Sequence, residues 1–143
     1  MPKTEIDEKD HVARYCKPPC VRADGLPLAC AFQLRLQEGY LSVNWLEYYK
    51  ELNLAVAIDC VRQAFINKGY KPARSGRFAV LQVNQMKSVV SSLSSKPFRV
   101  KYLPTAKDPS HTGIFGYTAS DKLIALKISE LACAEDMHLT KLP

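Results

Sequence analysis

The chain lacks a long apolar run, and residues 1–10 are polar and mostly acidic. A helix needs roughly 18 consecutive apolar residues to cross a bilayer, so the sequence predicts no membrane-spanning segment. The polar N-terminus also lacks the hydrophobic centre of a secretory signal peptide. We therefore expect a cytoplasmic protein with no membrane partner.

Standard catalytic and cofactor-binding signatures are missing as well. The sequence contains neither the G-x-x-x-x-G-K-[ST] phosphate loop nor the G-x-G-x-x-G dinucleotide motif. It has no G-x-S-x-G nucleophile elbow and no H-E-x-x-H metal motif. These absences favour a binding protein over an enzyme, and they predict no resident cofactor.

The cysteines give no metal signature either. There are five, an odd number, at Cys16, Cys20, Cys30, Cys60 and Cys133. Without a secretory signal, an odd number predicts reduced thiols. The spacing of the first three does not match a zinc site, and no second ligand pair follows. We therefore predict no metal.

The length and composition indicate one globular domain. The chain has 143 residues, of which 47% are hydrophobic and 24% are charged, both ordinary values for a single domain. We divide it into a polar N-terminal segment (1–10), an α+β domain (11–135) and a flexible C-terminal tail (136–143).

Apolar periodicity predicts the elements of that domain. Period-two alternation predicts strands at 11–16, 30–36, 40–45, 77–83 and 98–103. A tight turn at Glu38-Gly39 would join the second and third strands into a hairpin. Period-3.6 patterns predict a helix after the cap Asn53 that ends at Gly69, a short helix after Asn84, and a helix over 120–133. The order β-β-β-α-β-α-β-α favours a mixed sheet of about five strands packed by two to three helices, with a loop over 104–116.

Positive charge is concentrated in the middle of the chain. The net charge is +6, and ten basic residues with no acidic ones lie between Cys60 and Lys107. A loop rich in glycine, proline and cations can follow a phosphate backbone while an aromatic ring stacks on a base. The residues predicted to bind RNA, DNA or an acidic protein partner are Lys68, Tyr70, Lys71, Arg74, Arg77, Arg99 and Lys101. The alternative is a solvated loop and a charged strand that protects a sheet edge.

The segment from Asp108 to Gly116 is the most specialised loop in the sequence. Asp108-Pro109 is typical of a turn, and the loop carries His111. Histidine titrates near neutral pH, so His111 is a candidate to bind a ligand or transfer a proton. The alternative is a structural turn organised by Asp108 and Ser110.

Three features together resemble compact ADP-ribosyltransferase-like domains. His11 and Tyr15 share a face of the first predicted strand, Ser42 lies on a later strand, and a Ser-His-Thr-Gly-Ile-Phe-Gly segment carries His111. The resemblance implies that His11 and Ser42 hold NAD, with Tyr15 and His111 completing the site. Where the family often places an acidic residue that drives transfer, this sequence has His111.

Our leading hypothesis from the sequence is a non-enzymatic accessory protein whose basic surface docks on nucleic acid or an acidic protein. One alternative is an NAD-binding transferase-like domain. Another is a structural subunit of a larger assembly, held through the aromatic residues Trp45, Tyr48 and Tyr49.

Overall fold

Three α-helices and a six-stranded sheet make up the fold that this computed structural model describes, over residues 4–50, 53–133 and 139–141. The strands are β1 (His11–Cys16), β2 (Leu41–Trp45), β3 (Arg77–Gln82), β4 (Arg99–Tyr102), β5 (His111–Phe115) and β6 (Leu139–Lys141). The helices are α1 (Leu54–Asn67), α2 (Val83–Leu93) and α3 (Lys122–Cys133). Strands and helices therefore form a small α+β domain, as the sequence predicts.

The sheet is antiparallel, which corrects the expected mixed sheet. Its strand order is β4-β5-β2-β1-β3-β6, and all five neighbouring pairs are antiparallel. The expectation of parallel pairs came from helices that lie between strands in sequence. Helix α1 does connect β2 to β3, but β1 lies between these two strands in the sheet. The crossover therefore creates no parallel neighbours.

Helices cover both faces of the sheet. On one face α1 packs Ile58 and Val61 against Phe78 of β3. Asn53 caps this helix by accepting a hydrogen bond from the Val56 N–H at 2.9 Å, and Gly69 follows its end with φ +87°. Both helix limits agree with the sequence prediction.

The opposite face carries the larger core. Here α2 and α3 contribute Met86, Val90, Ile124 and Ile128, which are all buried against apolar residues of the central strands. The apolar stripes of all three helices thus point at the sheet.

The predicted strand over 30–36 and its hairpin with 40–45 are wrong. Residues Ala29–Phe32 form a short 3-10 helix instead. Strand β2 already has β1 on one side and β5 on the other, so no edge is left for a hairpin partner. The alternation reflects Phe32, the last residue of this helix, and Leu34, in the loop after it, which both enter the core, while Leu36 is 93% exposed.

The predicted loop over 104–116 contains β5, which lies inside the sheet between β2 and β4. Gly113 of β5 is needed because the position has no room for a side chain, and no turn requires it. A Cβ there would lie 2.7 Å from Cδ2 of Tyr40. The observed order of the described elements is therefore β-β-α-β-α-β-β-α-β.

Segments assigned to the two ends also belong to the fold. The Ile6 N–H donates to the Val100 carbonyl at 3.0 Å, and the Ile6 side chain is buried. Residues Leu139–Lys141 pair with β3, within the segment predicted to be a flexible tail. The rest of that tail lies outside the described residues.

Candidate functional site

A cleft opens where β1 and β2 separate. These strands pair only at Val12–Trp45 and Ala13–Asn44, whereas β1 and β3 pair along their whole length. Beyond Ala13 the gap widens into a cleft of about 360 Å³. Its polar and aromatic lining comprises Arg14, Tyr15, Lys17, Gln33, Arg35, Glu38, Ser42, Asn44, Phe65, Lys68, Tyr70, Asp108 and His111.

Arg14 reaches from β1 into this gap. Its Nε donates to the Ala31 carbonyl at 2.8 Å, and its Nη1 donates to the Ser42 carbonyl at 2.9 Å. No carboxylate of the described residues forms an ion pair with it. Burial lowers the pKa of Arg14. The Glu38 carboxylate lies near enough to oppose this lowering without forming an ion pair. Arg14 is therefore a half-buried cation in the wall of a cleft, and it has no ion-pair partner among the described residues.

Two more cations extend the positive charge to the cleft's rim. Lys17 and Arg35 line the cleft with exposed side chains, and neither pairs with a carboxylate in the described part of the chain. The nearby carboxylate of Glu38 accepts the backbone N–H of Arg35 at 2.7 Å. Cations therefore outnumber carboxylates among the lining residues.

Asp108 is the second acidic residue of the cleft, and each of its carboxylate oxygens accepts a hydrogen bond from another side chain. Its carboxylate accepts Asn44 Nδ2 at 2.8 Å and Lys68 Nζ at 2.7 Å. Asn44 Nδ2 also donates to Ser110 Oγ at 2.9 Å, and that hydroxyl contacts Tyr49 Oη at 3.1 Å. Asp108 is 2% exposed. Its charge is thus cancelled by Lys68 and does not oppose an anion near Arg14.

His111 and Ser42 lie next to each other in the cleft. Nδ1 of His111 lies 2.9 Å from the Leu103 carbonyl oxygen, and Nε2 lies 3.4 Å from Ser42 Oγ. The Tyr40 ring packs beside His111 with its centroid at 6.0 Å. The sequence places these residues on separate segments, and antiparallel pairing of β2 with β5 brings them together.

Aromatic rings also line the cleft. Tyr15 contacts Phe65 and Tyr70, with ring centroids 6.0 and 5.9 Å apart. Tyr15 Oη also accepts the Ala73 N–H at 2.8 Å, which fixes the loop between α1 and β3 to the first strand. Tyr70 is 40% exposed, so one part of its ring is open to a ligand.

The predicted basic surface divides into two parts. Lys68 and Tyr70 line the cleft, and Lys71 and Arg74 are exposed on the adjoining loop, which ends at Arg77.

Arg99 and Lys101 lie on β4, four strand intervals from β3, or about 19 Å across the sheet. There Arg99 pairs with Glu5 at 3.0 Å, and Lys101 lies 4.8 Å from the Phe115 ring centroid. These two residues therefore do not extend the surface around Lys71.

Three of the four residues of the transferase-like hypothesis line the cleft, namely Tyr15, Ser42 and His111. His11 lies outside it, four residues before Tyr15, or about 13 Å along the strand. It binds Glu47 instead, with Nδ1 2.6 Å from Oε2. This hydrogen bond, against the opposing effect of burial, raises the pKa of His11.

The cysteines correct one expectation. Cys20 and Cys30 form a disulfide, so the prediction that every thiol is reduced is wrong. The bridge joins two short helical turns between β1 and β2, and Cys30 lines the cleft. Burial raises the pKa of the free Cys16 thiol to about 12, which leaves it protonated at neutral pH. Over the described ranges, no three histidine, cysteine or acidic side chains converge to hold a metal ion.

Sequence reasoning missed Arg14 as a site residue, although the sequence contains a signal for it. Alternation along β1 puts Arg14 on the same face as Val12 and Cys16, which are both buried. An arginine at an inward-facing position of a central strand is rare without a partner. That pattern singles out Arg14, whereas a count of charges draws attention to the exposed loop.

Comparison with protein-family models, curated proteins and solved structures gives no match for this chain. None of the helices in the described ranges combines the length and the apolar character that a membrane span requires.

Proposed function

We propose that this protein binds a small phosphate-bearing ligand of the nucleotide class in the cleft between β1 and β2. One observation carries the proposal: Arg14 is half-buried in the cleft wall and forms no ion pair with a carboxylate in the described part of the chain. A ligand anion would supply a direct ion-pair partner, which Glu38 does not provide.

The donors that remain on Arg14 suit phosphate. A guanidinium has five N–H groups, and the two backbone carbonyls engage Nε and Nη1. N–H groups on both terminal nitrogens are left for a ligand. Arginine binds phosphate oxygens in a forked geometry that a lysine cannot reproduce. Lys17 and Arg35 at the rim add charge that attracts the ligand.

The remaining lining favours a ligand with an aromatic ring. Tyr70 and Tyr15 provide ring surface beside the cations, and bases stack on such rings. A volume of about 360 Å³ is at the lower end for small-molecule pockets and suits a single nucleotide unit. NAD, which the transferase resemblance implies, carries two such units, so one half of it would extend beyond the cleft.

The proposal is tested by thermal unfolding with a set of related ligands. AMP, NAD and inorganic phosphate at millimolar concentration should raise the melting temperature of the wild type, because each binds only the folded state. Adenosine, which lacks phosphate, is the matched control and should have little effect. No shift with any phosphate-bearing ligand, or an equal shift with adenosine, would contradict the proposal.

A second candidate function is docking of RNA or DNA on the loop beside the cleft. Lys71 and Arg74 are exposed there without a carboxylate partner among the described residues, and Tyr70 is partly open. A strand bound along this loop could place one nucleotide near the cleft. Counterion release would make such binding strongly dependent on salt.

Charge reversal separates this second candidate from general electrostatic attraction. Lys71→Glu with Arg74→Glu should weaken retention of an oligonucleotide by about tenfold or more at moderate salt. The matched control is Lys96→Glu with Lys122→Glu, which changes the net charge equally at exposed positions elsewhere. Equal weakening by both pairs would show that only net charge matters. No retention by the wild type at low salt would exclude nucleic acid and direct the search to acidic proteins.

A further inference from the structure

Ser42 and His111 lie side by side in the cleft with a defined hydrogen-bond direction. Nε2 of His111 is 3.4 Å from Ser42 Oγ, and Nδ1 is 2.9 Å from the Leu103 carbonyl oxygen. A carbonyl oxygen only accepts hydrogen bonds. In the neutral imidazole, Nδ1 therefore carries the proton, and Nε2 presents its lone pair to the Ser42 hydroxyl.

This arrangement contains the parts of an activated nucleophile. Serine is a weak nucleophile until a neighbouring base accepts its proton, and the base works best when a third group fixes its tautomer. Here the Leu103 carbonyl is the positioning group. The distance of 3.4 Å is longer than a working hydrogen bond, but such contacts commonly shorten when a substrate binds.

Arg14 places a cation beside the same serine. Its Nη1 donates to the carbonyl of Ser42 at 2.9 Å, so the guanidinium lies next to the residue whose hydroxyl faces His111. Cations held in place near a phosphoryl group stabilise the negative charge that its oxygens carry during transfer. Ser42, His111 and Arg14 all line the one cleft.

We infer that Ser42 and His111 are a catalytic pair that hydrolyses a phosphate ester bound in this cleft. The inference rests on the proposed function, because Arg14 must first hold the phosphate. It differs from the sequence-based expectation of a non-enzymatic protein. The sequence lacked the standard motifs because this pair is assembled from two strands that are distant in the chain.

The reaction has two balanced steps. First, Ser42 Oγ forms a bond to phosphorus while the bond from phosphorus to the alcohol oxygen breaks. His111 Nε2 takes the serine proton and passes it to the departing alcohol. In the second step, a water oxygen attacks phosphorus, and His111 takes its proton. The bond from phosphorus to Ser42 Oγ breaks, and the serine oxygen recovers the proton. The net result is ester plus water giving alcohol plus phosphate.

The test combines turnover, covalent labelling and binding on the whole 143-residue chain. Turnover is measured with para-nitrophenyl phosphate, and labelling with a tagged fluorophosphonate. With the fluorophosphonate, Ser42 Oγ would bond to phosphorus as fluoride leaves. Wild type should release nitrophenol and carry the label on Ser42 in a peptide map. Ser42→Ala and His111→Asn should each lower turnover by about 100-fold or more. Ser92→Ala, an exposed serine on α2, is the matched control and should retain full turnover.

The outcomes separate this inference from the proposed function. If the wild type binds AMP but neither turns over the ester nor is labelled at Ser42, the inference is wrong while the proposed function stands. If no phosphate-bearing ligand binds, both are wrong, even if Ser42 is labelled. Melting temperatures of the variants close to that of the wild type exclude unfolding as the cause of lost turnover. If Ser42→Ala does unfold and the wild type binds AMP, labelling of the wild type at Ser42 supports the inference and its absence contradicts it.

Discussion

Lys68 Nζ donates to Asp108 Oδ2 at 2.7 Å, which joins the start of the basic loop to the segment that leads into β5. The sequence marks these residues as parts of two unrelated features, separated by 40 positions. In the fold they form one ion pair on the wall of the cleft. The Lys68 side chain is one-third exposed and the Asp108 side chain is buried. Asp108 therefore depends on Lys68 for most of its charge compensation.

Removing that lysine should be costly. Lys68→Met would leave the Asp108 carboxylate buried with Asn44 as its side-chain partner, and we expect a loss of about 2 kcal/mol in the free energy of unfolding. Lys71→Met is the matched control, because Lys71 is exposed with no ion-pair partner in the described ranges. It should change stability by less than about 0.5 kcal/mol. If urea unfolding shows the same loss of stability for Lys68→Met and Lys71→Met, the Lys68–Asp108 ion pair does not stabilise the fold.

The His11–Glu47 pair should make stability depend on pH. The hydrogen bond to Glu47 raises the pKa of His11 above its ordinary 6.5. Burial raises the pKa of Glu47, but the hydrogen bonds from His11 outweigh it, and the net pKa falls below its ordinary 4.5. The contribution of His11 to the free energy of unfolding is fully present below pH 6.5 and is lost as pH rises through its folded-state pKa. The contribution of Glu47 to the free energy of unfolding is fully present above pH 4.5 and is lost as pH falls through its own folded-state pKa.

The directions of these two pKa shifts predict how the stability of Glu47→Gln differs from that of the wild type as the pH changes. The stability difference between wild type and Glu47→Gln should be largest between about pH 4.5 and pH 6.5 and should shrink by about pH 9. Urea unfolding at a series of pH values measures it. A difference that stays constant or grows toward alkaline pH would contradict the charged pair.

Gly113 should tolerate no side chain. A Cβ there would lie 2.7 Å from Cδ2 of Tyr40 and 3.0 Å from Cδ1 of Leu103. We expect Gly113→Ala to lower stability by about 1–3 kcal/mol through overpacking. Gly39→Ala is the matched control, since a Cβ at Gly39 meets nothing within 4 Å. Thermal unfolding of the two variants should separate them, and a neutral Gly113→Ala would show that Tyr40 moves aside freely.

The sequence predicts correctly those helices and strands whose start, end and buried face are set by residues within the same segment. Helix α1 carries its cap, its apolar stripe and its terminal glycine within one segment, and both its limits are correct. Strand β3 is likewise evident from its apolar run at Arg77–Gln82. Local patterns suffice here because local packing and capping decide the structure.

Long-range pairing explains what the sequence does not predict. Nothing near residues 30–36 indicates that both edges of β2 are taken by β1 and β5, so alternation there suggests a strand. Nothing near Gly113 indicates that the Tyr40 ring needs its space, so the glycines suggest a loop. The cleft depends on the same pairing, because it exists only where β1 leaves β2.

The Cys20–Cys30 bridge should stabilise the segment that borders the cleft. It closes a loop with a sequence separation of 10, for which chain entropy predicts about 3 kcal/mol. Cys20→Ser with Cys30→Ser should lower the melting temperature, and a reductant should lower that of the wild type but not of the double variant. Alkylation of the folded, unreduced protein should leave both cysteines unmodified. Their modification without reductant would contradict the bridge.

Binding of a ligand phosphate by Arg14 can be measured by calorimetric titration of the protein with AMP. Arg14→Lys keeps the charge but loses the fork that phosphate recognition requires. Arg22→Lys is the matched control, because Arg22 pairs with Asp24 on an exposed loop outside the cleft. We predict saturable binding by the wild type and by Arg22→Lys, and affinity lower by about tenfold or more in Arg14→Lys, or about 1.4 kcal/mol. No saturable binding by the wild type, or unchanged affinity in Arg14→Lys, would contradict phosphate binding by Arg14.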